Sequence, residues 1–281
     1  MKRIRYVLLA GVMAAACVQA ASQVLDALPV KSEILCKEMK VAIYLPDGYA
    51  SSQRSYPVLY LLHGYSDDQT GWVQFGEVQR IADQAISEGR AAPMIIVMPD
   101  AEVTWYANDL KGQYRFEDYF FTELIPHVES TYRCRAKKEF RAVSGLSMGG
   151  MGAFVYAMRH PDLFASSCPL SAALWDRAAM SKRMKLGEQG ETDEKINAFL
   201  DRYCPVTLAE RLPEEQKKAV RLYIDCGDDD FLSADNARMH ALLLEKKIPH
   251  EFRIRDGAHS WEYWRTALPS VLEFVSGTFR R

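Results

Sequence analysis

Ser147 is the residue in this sequence best placed to do chemistry, because of what flanks it. Gly145, Ser147 and Gly149 form G-x-S-x-G within AVSGLSMGGMGA, residues 142–153. Ala142 and Val143 close a short apolar run, and 148–158 carries a helical pattern that stops at His160 and Pro161. Strand, tight turn and helix is the setting in which such a serine becomes a nucleophile elbow. The bend is so sharp that the residues two positions either side must lack a Cβ. Behind the serine, the free N–H groups and positive dipole end of the helix suit a developing oxyanion. The competing reading is a glycine-rich turn with no chemistry, and the rest of the chain decides between them.

A serine hydroxyl is a weak nucleophile until a base takes its proton, and the base needs an acid to orient it. After an elbow the partners follow in the order serine, acid, histidine. Of the later histidines, His160 ends the elbow helix, His240 lies within a helical pattern and His250 opens a strand. His259, in Asp256-Gly257-Ala258-His259-Ser260, sits in a loop just after a strand, where flanking small residues let the backbone fold back. The acid belongs in the turn after the preceding strand, where Asp225, Asp228, Asp229 and Asp230 crowd together. Asp225 still belongs to the strand, and Cys226-Gly227 make the turn. Asp230 precedes the apolar pair Phe231-Leu232, which should pin it inward beside the histidine, while Asp228 and Asp229 read as exposed loop acids. Adjacent carboxylates also suggest a cation site, but no further ligand cluster supports one, and no metal is expected. For the oxyanion hole the expected donors are the N–H groups of Met148 and of Tyr65, in the loop His63-Gly64-Tyr65. Gly64 lets that loop approach closely, and His63 is expected to brace it rather than react.

The elements that must position these groups alternate. Continuous apolar runs at 57–62 and 93–98 read as strands buried on both faces, and shorter ones precede the elbow and span 164–171 and 220–225. Helical patterns fall at 77–88, 117–132, 148–158, 235–247 and 261–277, and 250–254 is a last strand. The segment 32–46 reads as one or two edge strands. This rhythm predicts an α/β fold with a mostly parallel sheet covered by helices on both faces. It breaks over 173–218, a charged stretch without strand signal, expected to be a helical cap or lid. A solvated surface excursion is the bland alternative.

At 281 residues and 48% hydrophobic, the chain has material for one sizeable core. Lys2, Arg3 and Arg5 precede an apolar run, and Val18-Gln19-Ala20 offers small residues, so 1–20 reads as a secretory signal peptide and 21–281 as one catalytic domain. The leader is too short to span a membrane. A lipid anchor at Cys17 is the minority alternative to periplasmic or secreted release. The net charge of −2 becomes three units more negative without the leader, which gives no sign of nucleic-acid binding. The five remaining cysteines show no metal-ligand spacing. Cys168 and Cys226, in apolar runs, read as buried small hydrophobes.

HGY, GLSMGGMGA, CGDDDF and GAHSWEYW, in that order, resemble the esterase D-like branch of the α/β-hydrolases, with its tributyrin-type, feruloyl and acetyl xylan esterases, S-formylglutathione hydrolases and mycolyltransferases. The resemblance spans nearly the whole chain after the leader. It implies the α/β-hydrolase fold, Ser147 as nucleophile, Asp230 as acid, His259 as base, Tyr65 and Met148 as oxyanion donors, and no cofactor. The Asp228-Asp229 pair and the long charged insertion depart from the pattern.

The activity so implied is hydrolysis of a carboxylic ester through an acyl-enzyme. Export argues against S-formylglutathione as substrate and favours acylated carbohydrates, feruloyl or acetyl groups, or short-chain esters. Trp72, Trp105, Tyr106, Tyr114, Trp261 and Trp264 lie in or beside active-face loops, where exposed rings would stack on sugars or phenols; packing within the loops is the alternative for each. Two rivals remain, an acyltransferase using the same three residues and a catalytically silent carbohydrate-binding protein. A homo-oligomer stays open.

Overall fold

The computed structural model describes residues 21–188 and 190–279; the leader expected over 1–20, with Cys17, lies outside them. Eight strands form one sheet: β1 (Gln23–Ser32), β2 (Lys37–Leu45), β3 (Val58–Leu62), β4 (Ile95–Pro99), β5 (Arg141–Leu146), β6 (Ser166–Leu170), β7 (Arg221–Gly227) and β8 (His250–Arg255). Their spatial order is β1-β2-β4-β3-β5-β6-β7-β8, with β1 and β2 antiparallel and everything from β4 to β8 parallel. The helices are α1 (Gly71–Gln74), α2 (Val78–Ser87), α3 (Phe116–Tyr119), α4 (Ile125–Thr131), α5 (Met148–Arg159), α6 (Arg177–Arg183), α7 (Asp193–Tyr203), α8 (Pro205–Glu210), α9 (Ser233–Glu245) and α10 (Trp261–Phe279).

Every residue of β3, β4, β5 and β6 is buried, as parallel strands covered on both faces must be. The two-residue period divides them between layers. Val58, Tyr60 and Leu62 of β3 join a core with α3, α4, α5 and α9, while Leu59 and Leu61 face α1, α2 and α10. The single helix expected over 117–132 is instead α3, a π-helical turn at Phe120–Leu124, and α4. Pro126 accounts for the break, since it has no N–H to donate and its ring would press on the carbonyl four residues back.

The insertion over 173–218 is helical, as expected, and it is docked rather than solvated. Phe199, Leu200 and Tyr203 of α7 and Met180 of α6 form a third apolar cluster with Met151 and Val155 of α5, Trp175 and Leu232. The elbow helix is thus packed from below by the sheet and from above by the insertion. Among the described residues no helix is long and apolar enough to cross a membrane.

Candidate active site

Ser147 lies between β5 and α5 with φ 56° and ψ −113°, a backbone conformation that side-chain-bearing residues rarely adopt. The surrounding contacts hold it there. Its N–H donates to the Leu170 carbonyl (2.9 Å), and its own carbonyl accepts from Met151 N–H (3.0 Å). The flanking glycines are required by space. A Cβ on Gly145 would stand 2.6 Å from the Gly149 carbonyl group, and one on Gly149 would stand 2.6 Å from the carbonyl oxygens of Leu62 and His63. Those obstacles are backbone atoms of the elbow helix, of the end of β3 and of the loop after it, and cannot swing aside as a side chain would. Gly149→Ala is therefore expected to cost about 1–3 kcal/mol, in the range of overpacked cores. Urea unfolding of the variant measures it, and a midpoint equal to that of the parent would refute the steric account.

His259 follows β8 and Asp230 follows β7, both at the C-terminal edge of the sheet where the elbow also lies. His259 Nε2 is 3.0 Å from Ser147 Oγ, and its Nδ1 is 2.8 Å and 3.0 Å from the two oxygens of Asp230. With Nδ1–H donating to the carboxylate, Nε2 is left as an acceptor for the serine proton. Asp230 is buried. Burial alone would raise its carboxyl, but hydrogen bonds from His259, the Leu232 N–H and the Ser171 hydroxyl outweigh that and hold it below the ordinary Asp range. Leu232 N–H donates to Oδ1 at 2.8 Å. Ser171 is itself fixed by Trp264, whose Nε1–H donates to its hydroxyl at 3.0 Å. The Trp264 ring also meets His259 edge-on at 5.0 Å.

The loop after β3 runs against the elbow, since a Cβ on Gly64 would come within 3.8 Å of the Ser147 Cβ. Among the described residues neither the Tyr65 nor the Met148 N–H has a hydrogen-bond partner, which leaves both free for an incoming oxygen. His63 braces the loop. Its buried ring accepts from Ala101 N–H at Nε2 (2.8 Å) and donates from Nδ1 to the Gly64 carbonyl (2.7 Å). Burial pushes its basicity down, so the ring is held neutral and serves as a spacer between two loops.

A cleft of about 560 Å³ opens over Ser147, lined by Tyr65, Trp105, Trp175, Met184 and Phe231 among others. Of the aromatics expected to meet substrate, Trp105 lines it. Trp72 requires correction: it is wholly buried in the core, with Nε1–H donating to the Leu62 carbonyl at 3.0 Å. Trp264, 5% exposed, and the wholly buried Tyr106 are likewise packing residues. Trp261 is half-buried between the rings of Trp72, Phe75 and Trp264. Tyr114 lies outside the cleft, its hydroxyl on Glu102 (3.0 Å) and Lys37 over its ring. Phe231, expected to help bury Asp230, is instead 63% exposed with its ring 4.4 Å from the His259 ring, and Leu232 does the burying. Two wall residues were not anticipated. Tyr65 contributes its ring as well as its backbone, and Trp175 follows β6 at the sheet's C-terminal edge, a position that could have signalled it. Tyr65, Trp105 and Trp175 meet in series at tilted angles of 46° and 54°, with ring centres 5.6 Å and 5.1 Å apart.

Asp228, Asp229 and Asp256 bring carboxylate oxygens within 4.8 Å of one another at the surface. Asp228 Oδ1 accepts from the N–H groups of Asp229 and Gly257, which ties the β7 and β8 loops together. The described cysteines are all free thiols; Cys168, Cys204 and Cys226 are buried.

The Esterase family, described as "Putative esterase", matches this chain over residues 32–275. An endo-1,4-beta-xylanase/feruloyl esterase of Xylanibacter ruminicola is 36% identical over 257 residues, which are 86% of this chain but 30% of that protein. An acetyl esterase of Caldicellulosiruptor saccharolyticus is 26% identical over 78% of this chain and 82% of its own length. Among solved structures, a ferulic acid esterase superposes with a TM-score of 0.81 at 32% identity, covering 92% of this chain and all of the other. The chain spans less than a third of the first curated relative, and the fold is that of the α/β-hydrolases.

Proposed function

This chain belongs to the Esterase family, and from that premise we propose that it hydrolyses carboxylic esters through an acyl-enzyme on Ser147. The observation that carries the reading is the unbroken line from Ser147 Oγ through His259 to Asp230, at 3.0 Å and 2.8 Å. As Oγ attacks the ester carbonyl, its proton passes to His259 Nε2, and the imidazolium is stabilised by the carboxylate behind it. The carbonyl oxygen gains charge and turns to the Tyr65 and Met148 N–H groups; one such donor contributes about a hundredfold to a thousandfold in rate. His259 then protonates the departing alcohol and activates the water that releases the acid. No metal or organic cofactor enters these steps.

The substrate class we propose is acylated carbohydrate, feruloyl, acetyl or other short-chain ester. The aromatic wall of Tyr65, Trp105 and Trp175 supports it, because flat rings stack on phenols and sugar faces. The names of the relatives point the same way. The segment 173–218 acts as a cap bounding the cleft, within one catalytic domain over 21–281. The leader over 1–20 supports export.

Purified protein should release acid from p-nitrophenyl acetate and from methyl ferulate or acetylated xylan. A fluorophosphonate should label Ser147 and no other serine. Absence of turnover together with absence of labelling would defeat the hydrolase reading. Transfer of the acyl group to added trehalose or xylooligosaccharide in preference to water would replace it with an acyltransferase.

A further inference from the structure

The cleft over Ser147 carries a charge bias that ester hydrolysis does not require. Its described lining contains Arg183 and Lys185 and no acidic side chain, in a chain where acids slightly outnumber bases. Both cations are exposed, Arg183 as the last residue of α6 and Lys185 in the turn that follows. The other arginines of the insertion are ion-paired: Arg177 and Arg211 share Asp201 (2.6 Å and 3.0 Å), and Arg202 meets Glu117 (2.9 Å). Arg183 and Lys185 have no ion-pair partner among the described residues. Arg183 instead lies over the Trp175 ring, its guanidinium carbon 5.4 Å from the ring centre. That contact holds the cation against the aromatic wall while leaving its N–H fork free. Asp109 and Glu191 line the adjoining chamber, beyond Lys185, and accept the N–H groups of Gln113 (2.8 Å) and Gly187 (3.1 Å) respectively.

We infer that the preferred ester carries a second, ionised acid group, a carboxylate seated between the Trp105–Trp175 wall and the pair Arg183 and Lys185 at the end of α6 and in the turn after it. The inference rests on the esterase reading and narrows its substrate class. The planar fork of Arg183 matches a carboxylate in two-point contact, and Lys185 adds a point charge beside it. That carboxylate belongs either to the acyl part, as in a dicarboxylic half-ester, or to the alcohol part, as in a uronic acid sugar.

Matched pairs test this. On the acyl side, p-nitrophenyl hexanoate is compared with the p-nitrophenyl half-ester of adipic acid. On the alcohol side, acetylated methyl glucoside is compared with acetylated methyl glucuronoside. For each pair the readout is the ratio of kcat/KM, anionic over neutral, taken within one protein so that any general loss cancels. In at least one pair that ratio should fall about tenfold from wild type to Arg183→Ala/Lys185→Ala, the scale of two partly solvated ion pairs. It should fall further in Arg183→Glu/Lys185→Glu, and the wild-type ratio should decline as salt is added. The responding pair identifies which side carries the charge. Ratios unchanged by both double variants, in both pairs, overturn the inference while neutral turnover leaves the esterase reading standing. Failure of wild type to turn over even the neutral esters overturns both.

Discussion

Ser147→Ala should lower kcat toward p-nitrophenyl esters by about a millionfold, and His259→Ala should do nearly the same. The decisive result is the double variant, which should be no slower than either single one. A hydroxyl and a base 3.0 Å apart act as one unit, and removing half of a unit removes its whole effect. Asp230→Asn should cost less, about ten-thousandfold, because the amide keeps the shape but no longer selects the Nδ1–H tautomer. Thermal melts of all variants check that the fold persists. Independent, multiplicative losses in the double variant would mean that Ser147 and His259 do not share a proton. The site must then be sought elsewhere in the cleft.

These residues are legible in the sequence because each is fixed by a local rule. The glycines around Ser147 are dictated by backbone collisions within a few residues, and His259 and Asp230 by short loops at strand ends. The central strands are similarly local, since burial on both faces leaves continuous apolar runs in β3 and β4, and a helix such as α2 shows as an apolar face at helical spacing. What is not legible depends on contacts between distant segments. Gln23–Ser32 gives little strand signal because it is an edge strand with a register shift between Leu25 and Leu28, which breaks the alternation. Trp72 and Trp105 both follow a strand through a stretch rich in polar residues, yet Trp72, carried on the short helix α1, fills the core while Trp105 lines the cleft. Phe231 and Leu232 are adjacent and both apolar, and which of them turns inward is set by the insertion, where Leu232 packs with Trp175 and Met180. Arg183 and Lys185 reach the cleft because the insertion docks on Met151 and Val155, a placement that no periodicity within 173–218 encodes.

Glu117→Ala should destabilise the protein by about 3 kcal/mol, because it removes the one anion from a cluster of donors that hold the insertion down. The carboxylate is buried at the start of α3. It accepts from Arg159 (2.7 Å) at the end of the elbow helix, from Arg202 (2.9 Å) and from the Tyr203 hydroxyl (2.7 Å) on α7, and lies 3.0 Å from His160 Nε2. Arg202 remains half in water and can rehydrate, which keeps the cost at the low end of the range for broken buried pairs. In a domain of this size the loss corresponds to a fall in Tm of about 6–12 °C. Burial alone would raise the carboxyl, and the hydrogen bonds from His160, Arg159 and Tyr203 more than reverse it, so Glu117 sits far below the ordinary Glu range. The stability it contributes is therefore complete above the unfolded value, about 4.3, and drains away as pH falls below that. Glu117→Gln separates this charge effect from shape. The Tm gap between wild type and Glu117→Gln should be widest near neutral pH and narrow progressively below about pH 4, as the carboxyl of the unfolded wild-type chain takes up a proton that the folded one still refuses. A gap that stays constant down the acid limb would mean that Glu117 holds the insertion by shape and hydrogen-bond count, with its charge contributing nothing.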